Sequence, residues 1–168
     1  MNEEESLVNE KVNAQVNDKQ ALLDAGNYEV YPREVIRKVF PRIIAEVKSE
    51  KPKSKIGDII PLYFVLMTYI DGQEYRKDGT LNKRYGACFL SQDEISRLSG
   101  INKKRHPILA EVLRRNGVLL DVVETWEGTN RRIYYYPSFC PRVSEDGYVI
   151  DENGEKVVAE YGDLWARI

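Results

Sequence analysis

The residues best suited to chemistry lie between Asn102 and Arg132. Lys103-Lys104-Arg105-His106 sets three cations and an imidazole directly after Asn102, and Arg131-Arg132 adds two guanidinium groups beyond Glu127-Gly128-Thr129-Asn130. Side chains of these types bind anions: guanidinium and ammonium groups donate to phosphate oxygens or to the O6 and N7 of guanine, and asparagine can pair with adenine. Cations at a helix start also oppose the macrodipole, at a cost of about 0.3 kcal/mol or more each. A use beyond helix formation is therefore expected for Lys103, Lys104 and Arg105.

Other chemistries are poorly served. His106 is the only histidine, so neither a histidine-rich metal site nor a nucleophile with a histidine base can be assembled. There is no glycine-rich loop ending in Lys-Ser/Thr to cradle a nucleotide phosphate. Cys88 and Cys140 lack C-x-x-C spacing and read as reduced, partly buried thiols. Asp146-Gly147 and Asp151-Glu152-Asn153-Gly154 look like pieces of a calcium loop but miss its full ligand pattern. A hairpin of Tyr148-Val149-Ile150 and Val157-Val158 accounts for them better. The expectation is a chain with no enzymatic activity, no cofactor and no metal.

A net charge of −2 sits awkwardly with anion binding until the charge is mapped. Residues 1–26 carry −4, residues 27–90 carry +4, residues 91–137 carry +2 and residues 138–168 carry −4. Screening limits each charge to about 8–10 Å, so a basic middle between acidic ends can still attract phosphate. The longest apolar run, Ile59 to Ile70, is broken by Pro61 and is too short to span a bilayer. The opening Met1-Asn2-Glu3-Glu4-Glu5 is acidic where a signal peptide would be basic, so a cytoplasmic protein without a membrane partner is expected.

The elements that would hold these side chains can be read from local signals. Residues 1–26 show no sustained stripe and predict a frayed arm or marginal helix, with Leu22-Leu23 as a docking point. Pro32 suits a first turn, and Val35, Ile36, Val39 and Phe40 fall at helical spacing until Pro41 kinks or restarts the helix. Ser49 to Lys55 is a basic, proline-containing loop, read as a solvated linker with an auxiliary phosphate contact as the alternative. Leu62 to Ile70 predicts a buried helix. Asp78-Gly79 predicts a turn, with Arg84 to Leu90 returning as a short strand.

Ser91-Gln92-Asp93-Glu94 is a capping box, Ile95 and Leu98 face inward, and Gly100 ends that helix. Asn102 is a good N-cap for a second helix reaching Asn116. Pro107 conflicts with a regular helix from Asn102, so either the regular helix starts near His106 or its first turn is irregular. Arg114 and Arg115 lie at the helix C-terminus, where cations are favoured in any case, although Arg114 remains a candidate contact. Val118 to Thr125 and Arg131 to Tyr136 flank a glycine turn as a hairpin, with Trp126 and Tyr134 to Tyr136 packing across it.

Leu90-Ser91-x-x-Glu94-Ile95-x-x-Leu98-x-Gly100-Ile101-Asn102, followed by Leu113-x-x-x-Gly117-Val118-Leu119 and a hairpin, resembles the winged helix-turn-helix proteins of bacteria, plasmids and phages. With the preceding helices and the Asp71–Leu90 segment, the chain is similar to the N-terminal domains of plasmid replication initiators and phage replisome organisers. His106 stands where many such proteins carry an aliphatic residue.

The resemblance implies an α+β, mainly helical fold. It would comprise an acidic arm over 1–26, a winged-helix domain over 27–137 and an acidic hairpin extension over 138–168. It implies site-specific binding of double-stranded DNA in plasmid or phage replication or maintenance. A transcription regulator and a winged helix used for protein interaction are the alternatives. Asn102, Lys103, Lys104, Arg105, His106, Arg114, Arg131 and Arg132 would touch DNA. A homodimer would present two copies, pairing through the Val35–Phe40 helix or the Tyr148–Val158 hairpin. The acidic ends would meet other replication or transcription proteins.

Overall fold

Pro41 has no amide hydrogen, and its ring would collide with the carbonyl four residues back in a regular helix. The computed structural model, which describes residues 2–168, answers this with a wider turn. Val35–Val39 is π-helical and Phe40 donates to the Val35 carbonyl, after which helix α2 (Phe40–Glu50) proceeds with Pro41 in its first turn. Val35, Val39, Phe40, Ile43 and Val47 are all buried. The stripe expected to pair two copies is therefore consumed in the chain's own core.

The chain divides after Val30 into two units. The first holds helix α1 (Glu3–Ala25). Where a frayed arm or marginal helix was expected, 23 residues are helical. The reason lies in the caps: Asn2 accepts from the Glu5 amide at 2.9 Å while Glu5 accepts from the Asn2 amide at 3.3 Å, and Gly26 closes the far end in the left-handed conformation. Leu22 and Leu23, expected as a docking point, are exposed on this helix.

The second unit runs from Tyr31 to Ile168. Helix α3 (Ile59–Thr68) buries Ile59, Leu62, Tyr63, Leu66 and Met67, and the Tyr63 ring meets Phe40 edge-on at 5.1 Å. Helix α4 (Gln92–Ser99) and helix α5 (His106–Arg115) follow, joined through a short 3-10 turn. Strands β1 (Leu119–Glu127) and β2 (Asn130–Pro137) form an antiparallel hairpin, with Trp126 opposite Arg131 and Val123 opposite Tyr134. Cys88 exchanges backbone hydrogen bonds with Tyr135 at 2.8 and 2.9 Å and also bridges to Ile70, which ties the 70–90 segment to the hairpin.

Residues 138–168 are not an appendage. Strands β3 (Arg142–Val143) and β4 (Val149–Ile150) pair, Ile150 also bridges to Lys156, and Val149, Tyr161 and Leu164 join the same core as α2 and α5. Gly147 is required where it stands: its φ is +88°, and a Cβ would press on the Lys38 carbonyl of the π turn. Buried Asn116 knits the segment in. Its Nδ2 donates to the Val112 carbonyl at 2.8 Å and to the Tyr161 hydroxyl at 3.0 Å, and its Oδ1 accepts from Arg42 at 3.0 Å.

The architecture is α+β, with five α-helices and the β1–β2 hairpin among the described residues. Among those residues no helix is long and apolar enough to cross a membrane.

Candidate nucleic-acid interface

Local chemistry sets the frame of the site. The Ser91 hydroxyl accepts from the Glu94 amide at 3.2 Å and starts α4. The reciprocal half of the expected capping box is replaced: the Glu94 carboxylate takes Arg97 at 2.7 Å. Gly100 adopts a φ of +75° and its amide reaches the Ser96 carbonyl, ending α4. Buried Ile101 fills the turn. The Asn102 side chain then accepts from the Lys104 amide at 3.0 Å, capping the 3-10 turn Lys103–Arg105. Regular helix begins only at His106, so Pro107 falls in the first turn, where its missing donor leaves no gap.

The basic cluster thus becomes a tight turn whose side chains part company. Lys103 and Lys104 are exposed. Lys103 donates to Asp93 at 2.7 Å, which holds the Asp93 carboxyl below its usual range. Lys104 has no ion-pair partner among the described residues. Arg105 instead pairs with Asp58 and donates to the Lys55 carbonyl at 3.0 Å. A direct base contact from Arg105 is not what this geometry offers.

His106 departs further from the sequence expectation. It is fully buried, with Nε2 at 3.1 Å from the Ile101 carbonyl and 3.2 Å from the Ser96 hydroxyl. Burial lowers its pKa, against a smaller opposing pull from the Ile101 carbonyl. Neutral imidazole holds the turn to α4 and does not face solvent, where a DNA contact was expected of it.

The hairpin brings its cations to the same place. Gln92, Lys103 and Arg131 line two adjoining grooves of about 470 and about 570 Å³. Asp93, Asn130 and Arg132 complete the first, and Asn102, Lys104 and Pro107 complete the second. Arg131 holds Glu124 at 2.8 Å, and Arg132 shares Glu127 with Arg84 at 3.4 and 3.9 Å. Arg114 lines neither groove. It is paired with Glu111, as is Arg115, and these guanidinium groups push the Glu111 carboxyl down to about 2.

Of the eight residues expected to contact DNA, five therefore share one concave face: Asn102, Lys103, Lys104, Arg131 and Arg132. Arg105 and His106 are tied into the fold, and Arg114, half-exposed and paired with Glu111 on its own helix, lies away from the grooves. Gln92 was missed, because its place in the capping sequence concealed an amide that lines both grooves. The acids that pair the cations were missed as well. Asp93 and Glu124 could have been found by asking which carboxylates a turn and a hairpin register bring near each cation.

No family model, curated protein or solved structure matches the chain.

Proposed function

We propose that this chain is a winged-helix protein that binds double-stranded DNA at specific sites. The Lys103–Arg105 turn and the start of α5 would lie in the major groove, and the β1–β2 hairpin would be a wing on the flanking backbone. One observation carries the reading: Lys103 and Lys104 from the turn and Arg131 and Arg132 from the hairpin converge, with Gln92, on one groove system. Lysine at a base edge can donate to guanine, and Gln92 has the amide that suits adenine. Phosphate-directed cations from a separate element supply affinity without sequence information.

The biological setting we propose, replication or maintenance of a plasmid or phage genome, rests on the resemblance of the preceding helices and the Asp71–Leu90 segment, together with the Leu90–Leu119 pattern. Transcription regulation is the second reading. One such face spans few base pairs, so two copies on half-sites about one helical turn apart would be needed for a specific site. Since Val35, Val39 and Phe40 are buried, we place pairing on the exposed part of the Tyr148–Val158 hairpin, where Val158 faces out while Val149 is in the core.

The test is duplex binding as a function of salt. If about four phosphates are neutralised per protomer, the log–log slope is expected to be roughly −3.6 per protomer. Affinity that stays flat from low to physiological salt would move the face to protein interaction. Footprinting a shotgun library of replicon and host promoter DNA separates replication from transcription.

A further inference from the structure

The loop before α3 is held against the basic turn, and the residue that holds it is Arg105. One Arg105 nitrogen pairs with Asp58 and the other donates to the Lys55 carbonyl at 3.0 Å. Between those two anchors Ile56 is fully buried in a 3-10 turn, Ile56–Asp58, that leads into α3. The other end is pinned too. Lys51 donates to the carbonyls of Trp165 and Ile168, and the Ser54 amide closes a turn on the Lys51 carbonyl at 3.0 Å. Pro52 to Lys55 is therefore a short arch with both feet fixed, largely exposed as a solvated linker would be but tied down at each end.

Fixing the arch leaves two cations free. Lys53 and Lys55 are exposed, and neither has an ion-pair partner among the described residues. They differ in this from Lys103, Arg131 and Arg132, each of which already holds a carboxylate. Arg105 and Lys103 leave the same turn toward different partners, Asp58 on the loop and Asp93 on α4. The arch is thus fastened through Arg105 to the turn that carries Lys103 and Lys104.

We propose that Lys53 and Lys55 make a second contact with the phosphate backbone of the duplex, and that Arg105 is the positioning residue that presents them. This rests on the duplex-binding reading above. A turn seated in a major groove about 12 Å wide has a phosphate strand on either side. The arch, tied to that turn through Arg105, would serve one of them. Because the two ammonium groups carry no acid, phosphate can take them without breaking an existing pair. The segment supplies affinity and orientation, with no base preference.

The experiment uses the full chain and a labelled random-sequence duplex, with affinity measured across a salt series. K53A/K55A is expected to bind every sequence more weakly and to flatten the log–log slope by about 1.8, the value for two fewer neutralised phosphates. K53R/K55R is expected to restore the wild-type slope. R105Q is expected to flatten the slope in the wild-type background and to leave it unchanged when added to K53A/K55A, since Arg105 acts only through the arch. A wild-type slope in K53A/K55A, with the wild-type chain still binding duplex, would overturn this proposal alone. A further flattening of about 0.9 from R105Q in K53A/K55A would overturn the positioning role and make Arg105 a direct phosphate ligand. A wild-type chain that binds no duplex at any salt would overturn the duplex reading and this inference with it.

Discussion

Arg115 and Arg131 are the same side chain in two settings. Arg115 donates to the Glu160 and Tyr161 carbonyls at 2.8 and 2.9 Å in addition to Glu111, and only 24% of its side chain is exposed. Arg131 holds a single carboxylate, Glu124, with 46% of its side chain exposed. A main-chain carbonyl cannot be exchanged for a ligand without moving the chain that carries it. A surface carboxylate can be exchanged, because an exposed ion pair contributes little to stability. The partner's identity, more than the number of partners, separates arginines that close the fold from arginines able to bind something else. The interior set, Arg42, Arg115 and Lys51, fastens residues 138–168 to α2 and α5. Arg131 and Arg132, of the exposed set, line the two grooves.

The largest effect that would sharpen this contrast belongs to the interior set. Asn116→Ala removes the acceptor of Arg42 and the donor to Tyr161 within a buried network, and a loss of about 3 kcal/mol of stability is expected. Urea denaturation measures it, and the folded fraction should keep its affinity for duplex. A variant that melts like wild type would show that the C-terminal segment is held by its apolar contacts alone.

Next come the groove residues. Lys104→Ala, and to a lesser degree Lys103→Ala, are expected to relax discrimination at particular base pairs by about 1–3 kcal/mol for each base-edge hydrogen-bonding partner removed. Lys103 is ranked second because it must first release Asp93. Arg131→Ala with Arg132→Ala is expected to weaken all sequences about equally and to flatten the salt slope by about 1.8. Affinity measured on a panel of single base-pair variants tells the two behaviours apart. Sequence-independent losses from both sets would break the division between turn and hairpin.

A smaller effect concerns pH. The folded pKa of His106 lies below its unfolded value, near 6.5, so the unfolded chain binds the extra proton first as pH falls. The stability that neutral His106 contributes is complete above that value and is lost as pH drops from there toward the folded pKa. Glu111, with its carboxyl pushed down to about 2, adds a separate loss only below about pH 4.5. Melting temperature followed from pH 7 to pH 5 should decline in wild type and stay nearly level in His106→Leu. An equal decline in both would remove His106 as the cause.

The slightest effect is on thiol reactivity. Burial pushes the Cys88 thiol up to about 11, whereas Cys140 is exposed. A colorimetric thiol reagent should titrate one group in the native chain and both in denaturant. Two fast thiols in the native chain would mean that the Cys88–Tyr135 bridge opens readily.

How much of this was legible in the sequence depends on range. Ser91, Gly100, Asn102 and Gly128 act within four residues of themselves, and the turn and hairpin they specify stand where their chemistry places them. The helix restart at His106 was one of two openings that Pro107 allowed. Helix α1 follows the helical one of the two readings open for residues 1–26, and its length was hidden because a search for an apolar stripe overlooks a helix capped at both ends. What stayed hidden was long range. Arg105 finds Asp58 47 residues away, Arg42 finds Gly147 105 residues away, and Tyr161 enters the core from a segment whose charge suggested an extension. His106 was hidden for a related reason: its two partners, Ile101 and Ser96, become neighbours only once the turn has closed.

The acids already seated on Lys103, Arg131 and Arg132 have a consequence for speed. With those charges answered at home and an overall charge of −2, little long-range field would draw the chain toward a polyanion. Arrival on DNA should then run in the unsteered range of about 10⁵–10⁷ M⁻¹s⁻¹. Under the proposed duplex binding, the carboxylates would compete for their cations on a random stretch and shorten each visit. At a matching site base contacts would tip that competition, so dwell time, more than capture rate, would separate right from wrong.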